Sequence, residues 1–373
     1  MVSINNWDDA EELFKDTFNK MRETEQEKEW HAEGNVLNHT KMVYNELIKH
    51  NEFKESSDMD KLIMSLSCIL HDIGKIVTTK LEGGQLVSPG HARVGSEMAR
   101  SILWKDLGLC GKDGMLIREA ICGLIKLHTF PVHAIDDSDG KLKLLKASAN
   151  CVLTPYFNID KLCLLSEVDV RGRIYNGQND LIDSIELCRE LAKEIGCLYS
   201  GIEFKSSFTE YAYLSGKDMS IDYELYDNTW GEVILMSGLP GTGKDTWIRN
   251  HYSHLPMISL DEIRKELKIK PTDNQGAVIV KARERAKELL RKKQPFVWNA
   301  TNITQLTRQK LVDLFINYGT SVRIVYLETE LQEQLRRNSN RDAIVPEKVI
   351  YNMLENLTPP ERYEAHKVEW YSI

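Results

Sequence analysis

The sequence predicts a two-domain protein, an all-α domain followed by an α/β domain built on a parallel sheet. Three observations predict it. A length of 373 residues suits two ordinary domains better than one. Apolar residues recur three and four apart up to about Cys197. Beyond Gly231 the pattern changes to short apolar runs alternating with helical stretches.

In the first half the helical faces read as Val36, Val43, Leu47; then Leu62, Leu66, Ile69, Leu70; then Ile117, Ile121, Leu124, Ile125; then Leu162, Leu165, Val168. No alternating strand is expected there. Residues 201–230 are polar and Tyr-rich and read as a linker that docks on one or both domains. This places the boundaries at 1–200, 201–230 and 231–373. In the last part the buried strands are expected at Val233–Met236, Pro256–Ser259, Pro295–Trp298 and Val322–Leu327.

Composition narrows the class. A hydrophobic fraction of 42% and a charged fraction of 28% are those of a soluble globular chain and exclude disorder, coiled coil and collagen. The net charge is −8, but residues 1–230 carry 26 basic and 38 acidic groups while residues 231–373 carry 22 and 18. An acidic half thus precedes a mildly basic one, and the sum excludes an overall cationic nucleic-acid coat without excluding a local site. The stretch Met1–Glu29 has no apolar core, and Leu62–Leu70 is too short to span a bilayer. A cytoplasmic protein without membrane attachment is therefore expected. Seven cysteines with no Cys-x-x-Cys pair read as reduced thiols.

Seven of the ten histidines precede residue 134. His71-Asp72 ends an apolar helical pattern, and His39 falls on the inward face defined by Val36 and Val43. His91, His128 and Asp169 follow on later segments. His133 reads as surface or as a neighbour of the ligands, and His31 and His50 as plain surface residues. The order His … His-Asp … His … His … Asp over roughly residues 30–175, with His-Asp-Ile-Gly-Lys at its centre, resembles the HD metallophosphohydrolase superfamily. The resemblance implies an all-helical domain whose metal centre hydrolyses phosphate esters. One ion would be held by His39, His71, Asp72 and Asp169, and a second by His91 and His128 with Asp72 bridging. Imidazoles and carboxylates suit Mn, Fe, Co, Ni or Zn, and water bound to such an ion becomes a nucleophile. Lys75, one turn after His71, can face the scissile phosphate, and Arg171 and Arg173 can hold the rest of it.

Gly238-Leu-Pro-Gly241-Thr242-Gly243-Lys244 follows an apolar strand and opens a helical pattern, which is the context a phosphate-cradling loop requires. Successive backbone N–H groups and the helix N-terminus would hold the β-phosphate, with Lys244 on the β- and γ-phosphates. ATP or another NTP with Mg is the expected cofactor. Asp245 stands where Ser or Thr usually reaches the magnesium, and Thr246 is the nearest hydroxyl. Asp261, after the second strand, can accept a proton from an acceptor hydroxyl, and Arg264 can take a phosphate of that acceptor. Arg337 and Arg341 lie in an arginine-rich stretch suited to close over the γ-phosphate. Arg336 reads as surface.

The order of these pieces over 231–373 resembles the P-loop polynucleotide 5′-kinases of phage and eukaryotic end-healing enzymes, with one departure at Asn299, where relatives commonly show Asp. The fusion resembles the bacterial HD-domain phosphatase–polynucleotide kinase family, HD-Pnk. That resemblance implies phosphorylation of 5′-hydroxyl RNA or DNA ends, opening of 2′,3′-cyclic phosphates and removal of 2′-phosphates. RNA or DNA ends would be the partners, with an RNA ligase acting downstream. The alternative is a nucleoside or sugar kinase fused to a nucleotide phosphohydrolase.

Overall fold

A computed structural model describes residues 4, 6–270, 273–340 and 344–373. The chain divides into two compact units. One runs up to Ile202, apart from Cys110–Lys112, and the other takes that short piece and Glu203–Ile373. No helix among the described residues is long and apolar enough to cross a membrane.

The first unit is a helical bundle. Its centre is the helix Ile159–Arg171, which packs on Val36–Lys49, Asp58–Leu70 and Gln178–Ile195. Three of these helices start on a side-chain cap, as their sequences dictate. Asn35, Ser57 and Asn158 accept hydrogen bonds from the backbone N–H groups of Asn38, Asp60 and Lys161. Val36, Val43 and Leu47 are fully buried on one face, and His39 shares that face. The periodicity that marks the helix thus also turns an imidazole inward.

One element departs from the helical expectation. β1 (Lys80–Glu82) and β2 (Gln85–Val87) form an antiparallel hairpin. Gly83 and Gly84 at the turn have φ of 62° and 87°, the left-handed backbone that a two-residue hairpin loop needs. The Gly-Gly pair is the hairpin's signal, and it was hidden because the strands are too short and exposed to alternate.

The second unit contains a five-stranded parallel sheet in the order Met257–Ser259, Val297–Asn299, Glu232–Ser237, Ser321–Glu328, Lys367–Ser372. The strands are β3 (Glu232–Ser237), β4 (Met257–Ser259), β5 (Val297–Asn299), β6 (Ser321–Glu328) and β7 (Lys367–Ser372). Four fall where the apolar runs place them. β7 is additional; it lies at an edge, is mostly half-exposed, and so carries no continuous apolar run. The 201–230 stretch contains a helix, Ser207–Leu214. Ile234, Met236, Val297, Val325 and Leu327 form a core with Trp247 and Ile248. Crossing helices bury both faces of such a sheet, which is why its central strands read as unbroken apolar runs.

A buried ion pair fixes the loop beyond β5. Arg308 donates to both carboxylate oxygens of Glu364, at 2.7 and 2.8 Å, and also to the carbonyls of Asn302 and Thr358. Both side chains are essentially inaccessible to water. Removing one partner strands the other charge, so Glu364→Ala should destabilise this unit by about 3–5 kcal/mol. Chemical denaturation monitored by circular dichroism checks this; a loss under about 1 kcal/mol would show that water reaches Arg308.

Candidate functional site: a histidine–carboxylate centre and a phosphate loop

His71 and Asp72 occupy the turn that follows Asp58–Leu70. The next helix segment begins at Lys75, and Gly74 allows His91–Lys105 to come against the turn. A Cβ at Gly74 would lie 2.1 Å from the His91 carbonyl oxygen. The Gly of His-Asp-Ile-Gly-Lys is therefore a packing requirement that brings His91 to Asp72.

Four imidazoles aim Nε2 at one carboxylate. His39 and His71 approach Asp72 Oδ2 at 3.5 and 3.3 Å, while His91 and His128 approach Oδ1 at 3.4 and 3.9 Å. Asp169 joins from the central helix, its Oδ1 2.9 Å from His39 Nε2 and 3.6 Å from His71 Nε2. The opposite ring nitrogens explain the common orientation. Nδ1 of His71, His91 and His128 donates to the carbonyls of Cys68, Ser88 and Ile125 at 2.7, 2.9 and 2.8 Å. Each such bond fixes the ring orientation, so that a neutral ring would present its Nε2 lone pair to a metal. His39 is oriented instead by Glu33, whose Oε1 is 2.9 Å from its Nδ1.

The donor set fits a divalent cation. Both Asp72 oxygens are buried without a well-angled hydrogen bond, although Lys75 Nζ stands 2.7 Å from Oδ2. Such buried acceptors are costly unless a cation satisfies them. His39, His71 and Asp169 offer ligand atoms within 4.8 Å of one another, as do His71, Asp72 and His128. Burial acts to lower the His71 pKa, but Asp72 and Asp169 outweigh it and hold it up to about 10. Burial lowers His128 to about 3. Asp72 and Asp169 stay well below the usual carboxylate range; burial opposes this, and Lys75 and Arg173 respectively are the largest charges that overcome it.

The flanking cations divide. Lys75 is buried between Asp72 and Gln26, whose Oε1 accepts at 2.7 Å. Arg173 pairs with Asp169 at the rim. Arg171 instead pairs with Glu167 and is 44% exposed, so it does not join the cluster. His31, expected on the surface, is buried and bonded to Glu33 at 2.7 Å; burial is the main cause that brings its pKa down to about 4. Glu33 thus links His31, His39 and the Ile174 N–H. These two residues lie in an irregular loop with no periodic signature, and closeness in sequence to His39 is the one signal that points to them.

In the second unit the phosphate loop spans the carboxyl end of β3 and the start of Lys244–His251. Gly238 and Gly241 have φ of 142° and 84°, and a Cβ on them would meet the Leu327 and Gln334 carbonyl oxygens at 2.4 and 2.7 Å. The loop closes so tightly on its neighbours that only glycine fits there. Lys244 Nζ lies back along the loop, 2.8 Å from the carbonyls of Gly238 and Leu239. Thr242 is buried and donates to the Leu239 carbonyl, while Thr246 is exposed and accepts from Arg249.

Helix Leu331–Ser339 packs over this loop. Gln334 donates to the Pro240 carbonyl at 2.9 Å, and Arg337 Nη1 comes within 3.4 Å of where a Gly243 Cβ would sit. Arg337 is held by Glu333, as is the more exposed Arg336. Arg341 lies outside the described residues. Asp261 sits in the first turn of Leu260–Leu267, capped by Ser259, rather than on the strand end itself. Arg264 reaches Asp261 Oδ1 at 2.5 Å and Gln275 Oε1 at 2.7 Å. Because β5 lies between β4 and β3, the strand that leads to Asp261 is two places in the sheet from the strand that leads to the phosphate loop.

The two residues that break the usual P-loop pattern meet. Asn299, at the end of β5, donates from Nδ2 to Asp245 Oδ1 at 2.6 Å. One carboxylate is thus kept at this point, on the helix rather than on the strand, and the amide orients it. Asn299→Asp should place two carboxylates in contact and weaken Mg-dependent nucleotide binding by roughly tenfold, about 1.4 kcal/mol. Titration of a fluorescent ATP analogue with and without Mg checks it; equal Mg dependence in wild type and variant would remove Asn299 from the account.

Comparison with known proteins agrees with both units. The HD domain family matches residues 36–151, and an AAA domain family matches residues 233–360. Asp169 falls outside the matched HD stretch yet completes the cluster. An L-seryl-tRNA(Sec) kinase from Methanococcus maripaludis is 25% identical over 139 residues, covering 35% of this chain and 54% of that protein. The chain thus spans about half the length of that curated relative. Among solved structures, a protein from Chloroflexus aurantiacus j-10-fl assigned as a kinase is 14% identical, covers 39% of this chain and 89% of its own, and has a TM-score of 0.33. A gluconokinase from Sinorhizobium meliloti 1021 is 16% identical, with 39% and 84% covered and a TM-score of 0.29. The chain thus carries a helical domain that matches the HD domain family, followed by a domain on a five-stranded parallel sheet that bears the phosphate loop and matches the AAA domain family.

Proposed function

We propose that the protein is a bifunctional nucleic-acid end-healing enzyme. Its kinase unit phosphorylates 5′-hydroxyl ends of RNA or DNA, and its HD unit hydrolyses 2′,3′-cyclic phosphate and 2′-phosphate ends. The observation that supports this reading is the presence, in one chain, of a buried histidine–carboxylate cluster, which would remove phosphate, and a glycine-rich loop of P-loop pattern, which would serve to add it. On a single hydroxyl the two would cancel. On a broken strand with two ends both are needed, and an RNA ligase would consume the product.

At the HD site, one or two divalent ions held by His39, His71, Asp72, His91, His128 and Asp169 would activate water for attack on phosphorus. A transition metal such as Mn, Ni, Co, Fe or Zn suits this imidazole-rich set. Lys75 and Arg173 supply positive charge beside it. In the kinase unit, Lys244 and Arg337 serve the triphosphate with Mg, and Arg341 would complete that group. Asp261 receives the proton of the acceptor hydroxyl.

The Asp261–Arg264 pair supports a polynucleotide acceptor, because it sets a proton acceptor beside a cation able to grip an internucleotide phosphate. The curated relative is named for an acceptor carried on tRNA, which is compatible with it. The test is a comparison of labelled phosphate transfer to a 5′-hydroxyl oligonucleotide and to a free nucleoside. The oligonucleotide should be far the better acceptor; preference for the nucleoside would give the small-molecule kinase reading instead.

A further inference from the structure

Beside the histidine cluster lies a cleft of about 330 Å³, whose lining includes Gln26, Trp30, His31, Lys75, His91 and Arg173. That volume suits one small ligand rather than a folded partner. Its two ends differ in chemistry. The inner end has Lys75, Arg173 and His91 next to Asp72 and Asp169. The outer end has Trp30, a large aromatic side chain that is 51% exposed.

Trp30 does not stand alone. The Tyr175 ring lies with its centroid 5.7 Å from that of Trp30, inclined at 51°. Both come from short irregular segments that are tied down. The Trp30 and His31 N–H groups donate to the Glu27 carbonyl, and the Ala32 N–H to that of Ile174. Glu33 accepts from the Ile174 N–H, joining the two segments. Glu27 also accepts from the Leu86 N–H of the β1–β2 hairpin at 2.8 Å, so the hairpin closes another wall of the cleft. A solvent-facing indole on so fixed a backbone is a preorganised stacking surface.

We propose that Trp30, backed by Tyr175, is a stacking shelf for the base of the nucleotide whose phosphate is hydrolysed. This rests on the end-healing reading and names how the terminal nucleotide is held. The ester phosphate lies at the cationic inner end and the base lies against the indole, with the ribose between them. Stacking is tolerant of base identity because every base offers a π-face. The shelf therefore selects nucleotides over other phosphate esters without selecting among the four bases.

The test compares hydrolysis by the full-length, metal-loaded protein of adenosine 2′-phosphate, adenosine 5′-phosphate and glycerol 2-phosphate, in wild type and in Trp30→Ala and Trp30→Phe. The ratio of kcat/KM for adenosine 2′-phosphate over glycerol 2-phosphate should fall roughly tenfold or more in Trp30→Ala, mainly through KM, and be largely kept in Trp30→Phe. Retained kinase activity and an unchanged melting profile confirm that the variants fold. An unchanged ratio in Trp30→Ala, or a wild type with no preference for nucleotide over glycerol ester, would overturn the shelf. If wild type instead prefers the 5′-phosphate and Trp30→Ala abolishes that preference, the shelf stands and the 2′-end reading falls.

Discussion

Asp72→Ala should abolish phosphate-ester hydrolysis while phosphorylation by the same preparation continues. All four imidazoles approach the Asp72 carboxylate. Partners one step removed from a metal typically cost 10–100-fold when lost, so removal of Asp72 should exceed about 100-fold. Lys244, Asp261 and Arg337 lie in the other unit, so their environment should be unchanged. Metal content measured alongside activity separates the causes: the variant should bind less transition metal, not merely turn over more slowly. A folded Asp72→Ala protein that loses both activities would show that the sites are not independent. Chelation should stop both reactions, with Mg restoring phosphorylation and Mn or Ni favouring hydrolysis.

Lys244→Ala should do the reverse. Its Nζ already lies on the inner rim of the loop whose glycines leave no room for side chains. Positive charge preplaced on a transferring phosphoryl group is worth roughly 10²–10³ in rate for a single donor. The kinase rate should fall by at least that factor, and hydrolysis of adenosine 2′-phosphate should persist. Lys244→Arg should recover little, since a planar guanidinium cannot replace a compact ammonium in so tight a cradle. Loss of hydrolysis in Lys244→Ala would again join the two sites. A kinase rate within about threefold of wild type would move the phosphate site elsewhere.

Much of this was legible in the sequence because the determining residues sit on regular elements. The period of Val36, Val43 and Leu47 turns His39 inward, and the apolar run Val233–Met236 followed by glycines places the phosphate loop. What the sequence hid belongs to irregular backbone and to pairing at a distance. His31, Glu33 and Trp30 lie in a loop whose structure is set by bonds to Ile174 and Leu86, far along the chain. The sequence singled out Asp245 and Asn299 as separate departures, but only the parallel pairing of β5 beside β3 brings them into one hydrogen bond. Arg171 and Arg173 are two residues apart, yet Arg171 ends the helix and pairs with Glu167 on its exposed side, while Arg173 lies beyond the Gly172 cap and pairs with Asp169.

The most direct measurement is end-group analysis of one RNA that carries a 5′-hydroxyl and a 2′,3′-cyclic phosphate, incubated with the protein, ATP, Mg and Mn. The account predicts a product with a 5′-phosphate and free 2′- and 3′-hydroxyls, formed at the first end only when Lys244 is intact and at the second only when Asp72 is intact. An RNA recovered with both ends unchanged, while the same protein phosphorylates a nucleoside or sugar, would contradict it.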